Sequence, residues 1–143
     1  MTIEQPIEHD DPDVSVVIPT IPENSYAQVV ADLREQTHEA FEVVVVNSGD
    51  LSVCEARNRG LDVSESSVVA FTDDDCRPPS NWVATIVDLF ERNDDLVIVE
   101  GPVRGGMTYE VSRKYPTCNI AVDRQTALDI GGFDTRFEYW RED

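Results

Sequence analysis

Three short runs rich in β-branched and apolar residues constrain the fold of this chain most strongly. The runs are Val14–Ile18, Phe41–Val46 and Val68–Phe71, and each is followed by turn residues and a helical pattern. A strand that is apolar at nearly every position is typical of a parallel sheet covered by helices on both faces. The order strand, helix, strand, helix therefore predicts an α/β fold with a doubly wound, mainly parallel sheet and right-handed crossovers.

The other predicted elements continue this alternation. Helices are predicted at Glu23–Gln36, Val53–Arg59 and Asn81–Arg92, and further strands at Leu96–Val99 and Cys118–Val122. Helix boundaries are predicted at Ser52 with Glu55 (a capping box), Gly60 (a stop), Ser80 and Asp123 (caps), and Gly131-Gly132 after a last helix ending near Ile130. Met1–Asp13 is polar and contains two prolines, which predicts a flexible lead-in before one domain over residues 14–143.

An acidic triplet, Asp73, Asp74 and Asp75, follows the third strand without a turn glycine. In open parallel sheets, ligands bind outside the carboxyl ends of the strands, and adjacent carboxylates suit a hard cation such as Mg²⁺ or Mn²⁺. A solvated acidic loop is the alternative, because a chain with 29 acidic residues contains such triplets by chance.

The net charge of the chain is −18, from 29 acidic and 11 basic residues. Such a surface repels a phosphate backbone, which argues against nucleic acid as a partner. The acids are spread along the whole chain, so they indicate an acidic surface rather than an acidic tail. Adaptation to high salt, where screening weakens self-repulsion, is our hypothesis for this surface.

The three cysteines, Cys54, Cys76 and Cys118, are odd in number and irregular in spacing. This pattern predicts neither a disulfide framework nor a zinc site, and it favours a reducing cytoplasm. No apolar run approaches the length of a membrane span. We therefore expect a cytoplasmic protein, which meets the inner face of the membrane if its acceptor is lipid-linked.

Several stretches, taken in order, resemble the inverting glycosyltransferase family 2, which has the GT-A fold. They are VSVVIPT (Val14–Thr20), QT…FEVVVVNSGD (Gln36–Asp50), EARNRGL (Glu55–Leu61), VVAFTDDDCRPPSNWV (Val68–Val83), NIAVDRQTALDIGGFDTRF (Asn119–Phe137) and the terminal Glu142-Asp143. Each motif alone is weak, whereas their common order and spacing is specific. The resemblance covers nearly the whole chain after Asp13.

This resemblance implies transfer of a sugar from a nucleotide-diphosphate donor, UDP-sugar first and GDP- or TDP-sugar as alternatives. The positions that match the nucleotide-binding residues of the family are Pro19, Thr20, Asn47, Arg57 and Asp73. Asp73 and Asp75 match the acids of the DxD motif, which hold Mn²⁺ or Mg²⁺, and Asp74 can replace Asp75 in that role. The cation offsets the charge of the departing diphosphate.

Two of these positions have competing interpretations. Asn47 stands where the family usually has an Asp that accepts the imide hydrogen of uracil; an amide oxygen also accepts that hydrogen, but Asn47 is equally typical of a turn. Arg57 is either a nucleotide contact or a surface helix residue that pairs with Glu55 or Asp62.

On the acceptor side, Gly131, Gly132, Phe133 and Asp134 resemble the acceptor loop of the family, and glycines alone also end helices. Glu142 and Asp143 resemble its ED motif, which makes Asp143 the expected general base of the inverting step. The acceptor would be a glycan, a lipid-linked group or a protein. Because members of the family continue beyond this motif, we expect an acceptor side that is truncated and a chain that transfers sugar poorly.

Two other function classes are compatible with the pattern. One is a non-catalytic module that binds nucleotide sugars without turnover. The other is a receiver-type phosphoryl-transfer domain, which needs acids at the end of the first strand and a lysine near the fifth. Here the first strand ends in Pro19-Thr20, and Lys114 lies in an irregular stretch.

Overall fold

The structure, a computed structural model, describes residues 1–104 and 117–136. These residues form strands β1 (Thr2–Ile7), β2 (Val14–Thr20), β3 (Phe41–Asn47), β4 (Val68–Phe71), β5 (Ile98–Glu100) and β6 (Ile120–Asp123). They also form helices α1 (Ala27–Arg34), α2 (Val53–Val63), α3 (Trp82–Arg92) and α4 (Arg124–Asp129).

The strands form one sheet with the order β1-β3-β2-β4-β6-β5. The central strand β2 is parallel to both β3 and β4. β1 is antiparallel to β3, and β6 is antiparallel to both β4 and β5, so β2 to β5 share one direction. The predicted mainly parallel, doubly wound sheet is confirmed, with antiparallel β6 inserted between β4 and β5.

Each face of the sheet carries its own apolar core, which explains the continuous valine runs. In β3, Val43 and Val45 face the core formed with α1 and α3, whereas Val44 and Val46 face the core on the α2 and α4 side. All four side chains are fully buried. Burial of each contributes roughly 1.5–3 kcal/mol, so a polar residue without hydrogen-bond partners at any of these four positions would destabilise the fold.

The prediction of a flexible lead-in is wrong for Thr2–Ile7. This segment is β1, which pairs with β3 from Thr2 opposite Asn47 to Ile7 opposite Val43. β3 would otherwise expose unpaired backbone groups at the sheet edge, and β1 covers them. Pro6 is tolerated because the strand is an edge strand with a register shift between Glu4 and Ile7.

The predicted stop at Gly60 is also wrong, since α2 continues through it to Val63. A Cβ atom at Gly60 would lie 2.2 Å from Cγ1 of Val17 in β2. Gly60 therefore allows α2 to approach the central strand closely. The predicted capping box of Ser52 and Glu55 is confirmed at the start of the helix.

Other boundaries differ by a few residues. Asn81, not the predicted Ser80, is the N-cap of α3, and α1 begins only at Ala27. The Asp123 cap is confirmed, because its side chain accepts a hydrogen bond from the Thr126 backbone N–H. Gly131 and Gly132 follow α4 with positive φ angles of 92° and 75°, as expected for glycines that end a helix.

Candidate active site

Strands β3, β2 and β4 are neighbours, and their carboxyl ends form one side of the sheet, which we term the carboxyl edge. Thr20 at the end of β2 is the register partner of Asn47 at the end of β3. Asp73 follows β4 by two residues, after Thr72, whose backbone N–H donates to the Val17 carbonyl at 3.2 Å. The fold thus brings the predicted residues of three separate stretches to one place.

Arg57 projects from α2 toward this edge and is only 1% exposed. Its Nη2 donates to Oδ1 of Asp73 at 3.2 Å. The alternative of a surface arginine that pairs with Glu55 or Asp62 is therefore wrong. A guanidinium is costly to bury without a counter-charge, so the pair with Asp73 is a requirement of this packing.

Asp73, the partner of Arg57 in this pair, is partly buried. Burial raises the pKa of the Asp73 carboxyl, and the charge and hydrogen bond of Arg57 oppose that rise. The neighbouring Asp74 and Asp75 add repulsion in the same direction as burial. In the described part of the chain, the carboxyl edge therefore places three carboxylates near one buried cation, Arg57, as a site for a further cation or for a polar ligand would.

The three acids of the triplet do not converge on one point. Oδ2 of Asp74 accepts hydrogen bonds from Oγ1 of Thr20 at 2.7 Å and from Nδ2 of Asn24 at 3.0 Å. Asp75 is exposed to solvent. Asp74 thus joins the β4 turn to the loop after β2, which leaves Asp75 as the most accessible carboxylate of the three.

Two cysteines that are distant in sequence meet beside Asp73. The sulfur atoms of Cys76 and Cys118 and a carboxylate oxygen of Asp73 all lie within 4.8 Å of one another. A hydrogen bond from the Cys118 thiol lowers the pKa of Cys76 to about 7 and raises the pKa of Cys118. The irregular cysteine spacing had predicted no such cluster, because Cys118 reaches it only through the pairing of β6 with β4.

The glycine loop after α4 is held against the same site. Asn58 of α2 accepts from the Phe133 backbone N–H at 2.7 Å and donates to the Phe133 carbonyl at 3.0 Å. The Phe133 ring packs edge-on against Phe71 with centroids 5.0 Å apart, and the Arg57 guanidinium lies 5.7 Å from its centroid. A Cβ at Gly132 would lie 2.4 Å from Oδ1 of Asn58, so only glycine fits.

Asp134, the last residue of the predicted acceptor loop, pairs with Arg136 instead of a site residue. Hydrogen bonds from the Arg136 side chain and backbone lower the pKa of Asp134 to about 2. Sequence reasoning missed Asn58 and Asn24 as supporting residues. The polar Asn58 within a helix that packs on the sheet was the available signal, because asparagine is disfavoured in helix interiors.

Asn47 presents an unsatisfied acceptor. Its Oδ1 is shielded from solvent and has no hydrogen-bond partner within residues 1–104 and 117–136. Pro19, which precedes Thr20, is buried within β2 opposite Val46. Glu142 and Asp143 lie outside the described residues, as does Lys114.

Known proteins resemble this chain in sequence and in fold. Residues 50–140, more than half of the chain, match the sequence model of the family described as Glycosyl transferase family 2. A glucosyl-dolichyl phosphate glucuronosyltransferase of Haloferax volcanii is 28% identical over 161 aligned residues, which cover 78% of this chain and 51% of that protein.

Solved structures share the fold as well. S. aureus TarS in complex with UDP matches with a TM-score of 0.71 and 16% identity, over 91% of this chain and 52% of that one. The mannosyltransferase PcManGT of Pyrobaculum calidifontis, in complex with GDP-Man and Mn²⁺, matches with a TM-score of 0.68 and 20% identity, over 92% of this chain and 51% of that one. This chain thus spans about half the length of each relative. Within the described residues, no helix is long and apolar enough to cross a membrane.

Proposed function

This chain belongs to glycosyl transferase family 2 and has the GT-A fold, and from that premise we propose that it transfers a sugar from a nucleotide-diphosphate donor to an acceptor hydroxyl, with inversion. The main support for this proposal is the burial of Arg57 and its hydrogen bond to Asp73. In a chain of net charge −18, a buried guanidinium is directed at Asp73 at the carboxyl edge of the sheet, where α/β proteins bind ligands.

The nucleotide is proposed to lie over Pro19, Thr20 and Asn47. The enclosed Oδ1 of Asn47 supports base recognition, because it offers an acceptor to a ring N–H, which is the imide N–H in uracil and thymine and the amide N–H in guanine. An unpaired buried acceptor costs roughly 1–3 kcal/mol, which a bound base would recover. UDP-sugar is the favoured donor, with GDP- and TDP-sugars as alternatives.

The carboxyl edge also fits a hard divalent cation, Mn²⁺ or Mg²⁺. Asp75 is exposed, and within residues 1–104 and 117–136 the hydrogen bonds to Asp74 come from the neutral donors of Thr20 and Asn24. These cations are commonly held by one or two carboxylates together with phosphate oxygens, so the divergence of the three acids is compatible with such a site. When bound there, the cation would offset charge on the departing diphosphate.

The proton transfer is assigned to Asp143, with Glu142 beside it, on the basis of the ED motif. The carboxylate takes the proton of the acceptor hydroxyl, its oxygen bonds to the anomeric carbon, and the bond from that carbon to the diphosphate breaks on the opposite face. The acceptor, a glycan, a lipid-linked group or a protein, is proposed to approach the loop of Gly131, Gly132, Phe133 and Asp134.

Calorimetric titration with UDP, GDP and TDP, each with and without Mn²⁺, tests the nucleotide and metal parts of this proposal. We expect one of the three to bind with an affinity that Mn²⁺ raises at least about tenfold, since a cation that bridges carboxylate and diphosphate adds charge-assisted contacts.

The substitution Asp75→Asn should abolish that increase. Asp95→Asn, which removes an exposed charge from the turn before β5, is the matched control and should leave it unchanged. Binding of all three nucleotides without any response to Mn²⁺ would contradict the metal assignment, and binding of none would contradict the function.

A further inference from the structure

The cluster of Asp73, Cys76 and Cys118 has a donor set unlike that of the acidic triplet. Its two sulfur atoms and one carboxylate oxygen lie within 4.8 Å of one another. Around a tetrahedral zinc ion, with bonds of about 2.0–2.3 Å, such donors lie roughly 3.4–3.8 Å apart. Small side-chain rotations would therefore bring all three atoms to bonding distance of one ion.

Backbone and side-chain contacts hold these donors in place without a ligand. The Cys76 backbone N–H donates to the Asp73 carbonyl at 3.2 Å, which folds the turn so that both side chains lie on one side. Cys118 is positioned through its neighbour Asn119, which accepts from Nε1 of Trp82 at 2.8 Å and donates to the Pro102 carbonyl at 3.0 Å. The donors thus come from two ordered parts of the fold, the β4 turn and the start of β6.

We propose that Asp73, Cys76 and Cys118 form a binding site for a thiophilic divalent cation, of which Zn²⁺ is the expected one. Two sulfurs and one oxygen leave a fourth tetrahedral position for water, and sulfur ligands favour Zn²⁺ over Mg²⁺ or Mn²⁺. Binding releases the two thiol protons to solvent. The cation is stabilised further by Asp74 and Asp75 nearby, whereas Arg57 on Asp73 opposes it.

The site shares Asp73 with the nucleotide site, so Zn²⁺ would compete with the binding of nucleotide and Mn²⁺. This competition rests on the proposed function, but the binding of Zn²⁺ itself does not. Two separate measurements therefore distinguish the two proposals: metal binding without nucleotide, and Mn²⁺-dependent nucleotide binding without Zn²⁺.

The test uses the full chain, reduced with a phosphine, and Co²⁺ as a spectroscopic probe. We expect a thiolate-to-cobalt charge-transfer band that saturates at one equivalent and disappears when one equivalent of Zn²⁺ is added. Cys76→Ser and Cys118→Ser should each weaken metal binding by more than about 100-fold. Substitution of a residue that only hydrogen-bonds to a metal ligand already lowers metal affinity by roughly 10–100-fold, and these cysteines are ligands themselves. Cys54→Ala, which alters the third cysteine in α2, is the matched control and should keep the band.

Absence of the band in the wild-type chain would overturn the proposal, as would its survival in either serine variant. Circular dichroism shows whether each serine variant folds. If one does not, the alkylation rates of the wild-type thiols, measured by mass spectrometry, give an independent answer. Zn²⁺ should slow the alkylation of both Cys76 and Cys118, and unchanged rates would overturn the proposal.

Discussion

The carboxyl edge and the opposite side of the sheet, where the parallel strands begin, are both acidic, yet they differ in how their acids are held. At the carboxyl edge, Asp73 pairs with the buried Arg57, and Asp74 is bound by Thr20 and Asn24. The opposite edge, formed by the amino ends of β2 and β4, carries an open cavity of about 500 Å³, and we term it the amino edge. Among the described residues, the lining of this cavity contains no lysine or arginine, and its acids are Asp11, Asp13, Glu65, Glu91, Asp94 and Asp123.

In so acidic a chain, the number of acids alone therefore does not define a ligand site. At the amino edge, the carboxylates line an open surface where water and salt solvate them. At the carboxyl edge, a buried cation, an enclosed amide oxygen and interlocked loops limit how each group can move. We therefore expect substitutions at the carboxyl edge to change stability and ligand binding, and substitutions at the amino edge to change mainly the response to salt.

The largest effect is expected for Arg57→Ala. Removing one partner of a buried ion pair typically costs roughly 3–5 kcal/mol, and about 2–4 kcal/mol is expected here because the Asp73 side chain is 35% exposed. The matched control is Arg92→Ala, which removes an exposed pair with Asp88 and should cost about 0.5 kcal/mol or less. Urea unfolding measures both values, and equal costs would show that Arg57 is not held as the structure indicates.

A smaller loss of stability is expected for Gly60→Ala, which tests the close packing of α2, the helix that contains Arg57, against β2. Alanine favours the helix by about 1 kcal/mol, but its Cβ would overlap the buried Val17. We expect a net loss of roughly 1–3 kcal/mol in the free energy of unfolding. In a Val17→Ala background the same substitution should cost less, and an equal cost in both backgrounds would argue against this contact.

Salt should stabilise the chain by a comparable or smaller amount. If the charge of −18 is an adaptation to high salt, the unfolding temperature should rise by about 5 °C or more between dilute buffer and molar KCl, where the Debye length is roughly 3 Å. Calorimetric scans check this. A flat response would mean that specific contacts, rather than screening, balance the repulsion.

The smallest effect is expected for the double substitution Glu91→Gln with Asp94→Asn at the amino edge. Both residues are exposed, so the free energy of unfolding in high salt should change by less than about 0.5 kcal/mol. In dilute buffer the variant should be slightly more stable than wild type, because two repelling charges are gone. Nucleotide affinity should not change. A tenfold loss of affinity would show that the nucleotide binds at the amino edge and not at the carboxyl edge.

Sequence reasoning predicted the parallel core, which the structure confirms, because continuous valine runs depend on local chain properties. It also named Thr20, Arg57 and Asp73, which the fold brings together at the carboxyl edge, while their roles in binding stay a prediction. It failed where a distant part of the chain decides the outcome. In the sequence, Gly60 looks like a helix stop. Its actual role depends on Val17 of β2, whose Cγ1 would lie 2.2 Å from a Cβ atom at position 60. Thr2–Ile7 forms a strand only because β3 offers an open edge, and Cys118 joins Cys76 only because β6 pairs with β4.

Paramagnetic NMR can show whether the carboxyl edge binds a nucleotide diphosphate together with a metal. The two edges are separated by the seven residues of β2, about 20 Å. Mn²⁺ added with the nucleotide should broaden the amide signals of Thr20 and Asp75 most strongly and those of Ser66 and Glu91 least. If the signals of Ser66 and Glu91 broaden most strongly instead, the nucleotide and metal do not bind at the carboxyl edge.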